Sequence, residues 1–528
     1  MNPGQYTTED IERVELVVGM EVHVELATAS KMFSRAPNPA CAGSGGMDEP
    51  EPNSLVDPVV LALPGALPVM NRAAVEMSMR VGLALGCRIA AQSRWDRKSY
   101  FYPDLPKAYQ ISQYDRPLCE GGVVEVPAVD ARGVFDLSGE RTRVRVLRAH
   151  LEEDAGKLLH ELPGGGGGGK LDGSIVDLNR AGTPLLEIVT EPDFRSAAEC
   201  VAFARLLRLT CRFLGVTEGV MQRGHMRFEP NINCRLVLRD GREVATPIVE
   251  IKNLNSFRAL GETIEYELRE QPGRWVEDGR ELGAGTKTTR GWDAGRGVTV
   301  VQREKEDAHD YRYFPDPDLP EVCVDEAWCE RVRAGVPELP LARMDRYAAE
   351  AGVNGAEAAA LVEDRETAQL YDAIVEALVG MGRARADVAR AAANLLLQQG
   401  FKLANERGVA VGALGFSAAQ AAGIVGLRLD GDIAAAAVEV LLVECCEDSA
   451  AVPREVAAGL GLLVVRDAAQ LEAWCDEVIA AQPEVADQVR RGKVQAVGRL
   501  IGQVMARSGG TADAKEAREM LLRKLAGA

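Results

Sequence analysis

The tightest constraint on the fold lies between Arg145 and Asp193, where charged residues are set into stretches that otherwise read as buried strands. His150-Leu-Glu-Glu-Asp-Ala-Gly-Lys157 packs three consecutive acids between a histidine and a lysine. After a glycine-rich gap comes Asp177-Leu-Asn-Arg-Ala-Gly-Thr-Pro-Leu-Leu-Glu187. Strand-forming apolar residues flank both: Val144 and Val146, Ile175 and Val176, Leu185, Leu186, Ile188 and Val189. An unpaired charge in such surroundings is costly, so the fold has to bring partners to these groups. Arg141 to Arg148 alternates basic and apolar residues with Val144 and Val146 inward. Continued as a strand, it puts His150, Glu152 and Asp154 on one side and Glu153 on the other. Lys157 is one candidate partner for the acids, and a divalent cation is another.

A second polar face lies near the N-terminus. From Val14 to Leu26 the residues alternate: Val18, Met20, Val22, Val24 and Leu26 share one side of a strand, Gly19, Glu21, His23 and Glu25 the other. Two acids flanking a histidine can hold a divalent cation. Carboxylates suit Mg²⁺ or Mn²⁺, and the imidazole is better tolerated by Mn²⁺ or Zn²⁺. Taken alone, the pattern is that of a solvated strand face. It becomes a metal site if Glu152 to Asp154 closes it from elsewhere in the chain.

Trp95 to Gln113 interleaves basic and aromatic residues around two prolines, a surface able to stack on a base while Arg97, Lys98 or Lys107 meets phosphate, or simply a packed aromatic turn. Helices are expected at Asn71 to Cys87, capped by Asn71, at Ser196 to Phe213, capped by Ser196, and at Phe257 to Glu270, capped by Asn255 or Ser256. A helix start at Ser256 offers free N–H groups to an anion. Gly164 to Gly169 is six glycines without the Gly-Lys-Ser/Thr ending of a phosphate loop, and reads as an insertion at a hairpin tip.

A chain of 528 residues needs more than one core. The net charge of −18 argues against a general nucleic-acid coat. Eleven cysteines without a CxxC pair fit reduced thiols. No apolar run is long enough to span a membrane, and the first ten residues resemble neither a signal nor a transit peptide, so the expected location is the cytoplasm, bacterial cytosol in preference to an organelle matrix. After Pro320 the chain turns helical, and Pro337 and Pro340 mark a linker. From Glu484 onward nine Lys/Arg stand against five Asp/Glu, a net +4 on an acidic body, which suits contact with an RNA backbone. Two helices are expected to meet at Ser508-Gly-Gly, with Thr511 capping the second.

Together the two blocks resemble the B subunit of aspartyl/glutamyl-tRNA amidotransferase, the GatB family. Gly19-Met-Glu-Val-His-Val-Glu25, Asp96-Arg-Lys-Ser-Tyr-Phe-Tyr-Pro-Asp-Leu-Pro-Lys107, Tyr109-Gln-Ile-Ser-Gln113, Glu250-Ile-Lys-Asn-Leu-Asn-Ser256 and Asp310-Tyr-Arg-Tyr-Phe-Pro-Asp-Pro-Asp-Leu-Pro320 carry the resemblance in the family's order across the first 320 residues. It implies an α+β chain: a mixed or antiparallel β-sheet "cradle" with flanking helices over 1–320, an all-α domain over 321–455 and a small YqeY-like, tRNA-binding helical tail over 456–528. The activity implied is that of a carbon–nitrogen ligase. ATP phosphorylates the side-chain carboxylate of Glu-tRNA(Gln) or Asp-tRNA(Asn), and ammonia channelled from the complex's A subunit, an amidase, displaces the phosphate. A small C subunit completes the complex. ATP and Mg²⁺ are the implied cofactors, with Mn²⁺ an alternative at the same site. Glu21 and His23, with Glu152 or Glu153, match the family's metal site. Glu152, Glu153, Lys98 and Lys252 are expected in catalysis, and Arg97, Lys107, Tyr109, Asn179, Arg180, Arg227, Asn253, Asn255 and Ser256 in binding ATP or substrate. Two departures stand out. The loop from Ala36 to Pro58 carries Cys41 alone where many members have a cysteine zinc knuckle, so no structural zinc is expected, and Glu229-Pro-Asn replaces the usual Asp-Ala-Asn. A competing reading is an RNA-binding scaffold with a structural metal cluster. A free-standing glutaminase is disfavoured, since neither an amidase serine loop with a catalytic lysine nor a Cys-His setting is evident.

Overall fold

The alternating N-terminal segment forms one long strand, β1 (Ile11–Glu25), and the architecture is built outward from it. In the computed structural model residues 6–41, 50–161, 170–252, 254–304, 311–464 and 468–526 are described. Asn253 and the six-glycine run lie outside them. The chain forms two compact units, Met1–Arg343 and Met344–Ala528.

In the first unit β1 sits at the centre of a ten-stranded mixed sheet. The strands that matter for the site are β2 (Arg141–Glu153), β3 (Pro184–Thr190), β4 (Met226–Leu238) and β5 (Val249–Lys252). Their order across the sheet is β2-β3-β1-β4-β5. These neighbours are antiparallel, and a parallel pairing joins β5 to Thr288–Asp293. One face is apolar. Val18, Met20, Val22 and Val24 of β1 and Phe228, Ile232, Cys234 and Leu236 of β4 are all at most 1% exposed. Helices α1 (Ala197–Phe213) and α2 (Phe257–Asp278) belong to this side, with Phe228 against Phe257 at a centroid distance of 5.8 Å. Burial of this face drives the fold, because apolar area removed from water is the dominant favourable term.

The caps follow the sequence. Asn71 accepts from Ala73 N, Ser196 from Glu199 N and Ser256 from Ala259 N, so Ser256 rather than Asn255 caps α2. That helix runs eight residues beyond the expected Glu270, through Pro272 to a left-handed Gly279. Two buried anchors carry it past the proline: Gln271, bonded to Thr246 Oγ1 and Ile232 O, and Trp275.

A smaller three-stranded sheet, Phe314–Pro315, Asp96–Ser99 and Tyr109–Ser112 in that order, closes over the end of β2. Gln110 Nε2 donates to Glu153 O at 2.7 Å and Ile111 N to Glu153 Oε1 at 3.0 Å.

The second unit is helical. Arg365–Gly380 starts on an Asp364 cap, and Arg385–Asn394 passes through a π-helical turn, Leu395–Gly400, into Phe401–Arg407. Residues from Leu471 to Leu525 share their own apolar cluster, which includes Val478, Leu500, Val504 and Leu521. The last two helices, Val497–Arg507 and Ala514–Ala526, meet at Ser508-Gly-Gly as expected. The cap there is Asp513, which accepts from Lys515 N and Glu516 N. Thr511 instead donates to Ser508 O inside the turn. Among the described residues no helix is long and apolar enough to cross a membrane.

Candidate active site

The second face of the central sheet is polar, and strand register decides which side chains meet there. Across β4-β1-β3-β2 one row of Cα partners reads Arg227, His23, Glu187, His150. On one side of that row Glu21 pairs with Glu229; on the other, Glu25 and Glu152 both pair with Leu185. Directly opposed residues point to the same face and sit within side-chain reach. A β-bulge makes this possible. The register of β2 against β3 slips by one between Val146 and Arg148, and the buried apolar positions of β2 move from Val144 and Val146 to Ala149 and Leu151. His150 and Glu152 are thereby turned onto the polar face, as bulges commonly do near functional sites.

The imidazole of His23 is the hub. Its Nε2 lies 3.5 Å from Glu187 Oε2, 3.6 Å from Glu21 Oε1 and 3.8 Å from Glu152 Oε1, and its Nδ1 is 3.9 Å from Glu229 Oε1. His150 Nε2 is 3.6 Å from the same Glu187 oxygen. Two overlapping groups, Glu21-His23-Glu187 and His150-Glu152-Glu187, each bring their ligand atoms within 4.8 Å of one another. Glu152 and His150 are 3% and 4% exposed. Burial and the neighbouring Glu187 push both Glu21 and Glu152 up to about 7. Burial alone would lower His23, but Glu187, Glu229 and Glu21 outweigh it and hold the imidazole up at about 9. Glu187 is held well below the usual carboxylate range, since His150, His23 and Lys98 prevail over its burial. Three clustered carboxylates and an imidazole fit a hard divalent cation: the donors are mostly oxygen, and a bound ion would replace the imidazole's proton as their counter-charge.

This composition gives a signed prediction. Glu21, Glu152 and His23 must lose protons to bind a cation, so affinity for Mg²⁺ or Mn²⁺ should rise with pH through about 7 and on toward about 9. In the absence of metal, carboxylates with raised values destabilise the fold progressively above their unfolded values near 4.5, and the cost is complete once pH exceeds about 7. Adding Mn²⁺ should therefore raise the melting temperature more at pH 8 than at pH 6. Equal shifts at both would show that these acids do not bind the ion.

Of the residues singled out from sequence, Glu21, His23 and Glu152 converge. Lys98 joins them: burial would lower its ammonium, yet Glu152 and Glu187 keep it charged well above the ordinary lysine value. Its Nζ sits 5.0 Å from the Tyr311 ring centroid. Lys252 bridges Glu229 at 3.2 Å and Glu250 at 3.1 Å at the rim. Arg227 Nη1 meets Asp154 at 2.8 Å and Glu25 at 3.6 Å, and Arg180 Nε lies 3.6 Å from Asp154. Glu153 does not join the acids. The end of β2 turns its carboxylate away from them to Lys107 and Ile111 N.

Other residues expected in binding have partners within the protein. Arg97 is held by Asp316 and Asp318 and lies over Tyr109 with 4.2 Å to the ring centroid. Asn179 clips the preceding loop through Leu55 N and Glu51 O. Arg180 also donates to the carbonyls of Ala155 and Gly156. Asn255 is exposed beside the α2 cap. Glu187 was not singled out as a ligand, because as one acid in an apolar run it gains meaning only from its register with His23 and His150.

Residues 16–330 match the model of the GatB/GatE catalytic domain and residues 354–525 that of the GatB domain. The chain is 44% identical over 517 residues to the B subunit of an aspartyl/glutamyl-tRNA(Asn/Gln) amidotransferase from Burkholderia ambifaria (strain MC40-6), covering 97% of this chain and 99% of that protein. It is 43% identical over 507 residues to the protein of the same name from Thermomicrobium roseum, covering 96% and 98%. Similarity of this depth over both units, with the acid–histidine cluster inside the matched catalytic domain, means that the chain belongs to the GatB family of amidotransferase B subunits.

Proposed function

We propose that this chain is the ATP-using component of a tRNA-dependent amidotransferase, acting in the bacterial cytosol with an amidase and a small third subunit. In this reading a side-chain carboxylate oxygen of Glu-tRNA(Gln) or Asp-tRNA(Asn) attacks the γ-phosphorus of ATP, and ADP departs. Ammonia released from glutamine by the amidase then attacks the resulting acyl phosphate. Phosphate leaves, the nitrogen gives up a proton, and the amide remains. The observation that carries the reading is the gathering of Glu21, His23, Glu152 and Glu187 around one point with the charged Lys98 beside them.

A divalent ion bound there would supply charge that neutralises phosphate oxygens during transfer. Glu21, His23, Glu152 and Glu187 would hold it, and His150 would orient Glu187. Lys98, kept as an ammonium by Glu152 and Glu187, can meet charge developing on the transferred phosphoryl group without leaving its place. Lys252, half-exposed at the rim between Glu229 and Glu250, can pair with an incoming carboxylate or phosphate. The outcome, phosphoryl transfer rather than simple binding, depends on these cations facing a preorganised anionic nest in a site largely shielded from water.

The test is Lys98→Met in the reconstituted three-subunit complex. Amide formation on charged tRNA should fall by about a hundredfold or more while release of ammonia from glutamine by the amidase persists. Retention of full amide formation would support a scaffold role instead. The isolated chain should release no ammonia from glutamine, and robust release would overturn the division of labour.

A further inference from the structure

Lys98 has neighbours that the acid cluster does not explain. Glu152 and Glu187 attract its ammonium from the central sheet. Its Nζ also lies 5.0 Å from the centre of the Tyr311 ring, within cation–π reach. Tyr311 is in turn held by two further rings. Tyr100 meets it at a centroid distance of 6.2 Å and an angle of 75°, Tyr313 at 6.3 Å and 71°. Near-perpendicular pairs of this kind suit the ring quadrupole. Tyr313 is anchored by stacking on Tyr114 at 4.2 Å.

The backbone brings these rings together. Phe314 and Pro315 pair with Arg97 and Asp96, and this ladder ends beside Tyr313 and Lys98. Asp316 N donates to Trp95 O at 2.9 Å, and Arg97 is held by Asp316 at 2.8 Å and Asp318 at 2.7 Å. The segment that carries the two tyrosines is thus fastened to the strand that carries the lysine. Between Tyr311 and Tyr313, Arg312 adopts a φ of 46°. This left-handed conformation is unfavourable for an L side chain and persists where the surroundings hold it, often at functional sites. It interrupts the extended run, and the two rings cross instead of lying parallel.

A lysine side chain is long and flexible, and its ammonium needs something to fix it. With the acids free, they do so. Once Glu152 and Glu187 engage a divalent ion, their charge is shared with it and the ion itself repels the ammonium. The face of Tyr311 keeps its attraction in that state. We propose that Tyr311, braced by Tyr100 and Tyr313, is a positioning residue that holds the Lys98 ammonium beside the phosphoryl group during transfer. The assignment rests on the phosphoryl-transfer reading above.

The test replaces Tyr311 by phenylalanines whose rings carry successively more fluorine. Fluorine draws electron density from the ring face while the shape stays nearly constant, and so weakens a cation–π contact in steps. In the three-subunit complex Tyr311→Phe should keep kcat for amide formation within about twofold of the parent, while the trifluorinated ring or Tyr311→Leu should lower it about tenfold. The KM values for ATP and charged tRNA should hold. On the full chain without metal, the melting temperature should fall with each added fluorine. Both trends should vanish in a Lys98→Met background. Equal losses of kcat in Tyr311→Phe and Tyr311→Leu would assign the role to the hydroxyl and overturn the proposal. So would a flat fluorine series, or one as steep in Lys98→Met as in the parent. Full amide formation by Lys98→Met itself would sink the phosphoryl-transfer reading. A melting temperature that still falls with fluorine only where Lys98 is present would then leave the pairing of Tyr311 with Lys98 standing.

Discussion

Glu187→Ala is expected to reduce ATP-dependent amide formation by about a thousandfold while the amidase goes on hydrolysing glutamine. Among the described residues no other acid in the cluster is shared in this way: the Glu187 carboxylate lies 3.5 Å from His23 and 3.6 Å from His150 and belongs to both ligand groups. Its loss removes an oxygen donor and frees both imidazoles to turn. Stability should fall too, though less than activity: His150, His23 and Lys98 hold Glu187 well below the usual carboxylate range, so it stabilises the fold above its unfolded value near 4.5, while relief of the repulsion it exerts on Glu21 and Glu152 offsets part of the loss. Stabilisation by Mn²⁺ should disappear. A purely structural carboxylate would lower the melting temperature as well but leave activity intact in the surviving folded fraction. Amide formation within about tenfold of the parent, measured on charged tRNA at saturating ATP, would remove Glu187 from the machinery.

That residue also marks where the sequence stops being informative. The alternation in β1 was enough to put Glu21, His23 and Glu25 on one face, because a strand's period of two is local. Helix caps at Asn71, Ser196 and Ser256 were legible for the same reason, being set by residues within four positions. Register is not local. That Glu187 faces His23 on one side and His150 on the other depends on three strands pairing across more than a hundred residues of chain. The bulge in β2 is still less visible. Extending the alternation of Val144 and Val146 puts His150 and Glu152 on the same side as those valines, and only the one-residue slip against β3 turns them to the polar face. Arg97, Lys107 and Asn179 have protein partners that the sequence could not show. Their types suit phosphate or substrate, but Asp316 and Asp318, Glu153, and the backbone at Glu51 and Leu55 already engage them. Partners so distant in sequence cannot be counted before the fold is known.

Arg227→Met should cost the fold about 3 kcal/mol, the largest stability loss expected from a single change in this region. Arg227 stands 2.8 Å from Asp154 and 3.6 Å from Glu25, acids that are 7% and 4% exposed. Burial, reinforced by Asp154, holds Glu25 up at about 8, so near neutrality it is mostly protonated. Asp154 carries the charge: Arg180 and Arg227 outweigh its burial and keep it well below the ordinary aspartate value. A depressed carboxylate stabilises the fold above its unfolded value near 3.8, and the contribution is lost as pH falls toward its native value. Methionine keeps much of the arginine stem but leaves Asp154 with Arg180 at 3.6 Å as its remaining cation. The gap between parent and variant should therefore be widest at neutral pH and shrink in acid, where the orphaned carboxylate takes up a proton. Asp154→Asn in the Arg227→Met background should recover part of the loss, since it removes the charge that lacks a partner. Urea unfolding at pH 7 and pH 4 measures all three. A loss below about 1 kcal/mol at pH 7, or a gap that widens in acid, would mean that Arg227 is a surface contact rather than the counter-charge that lets Asp154 stay ionised inside the protein.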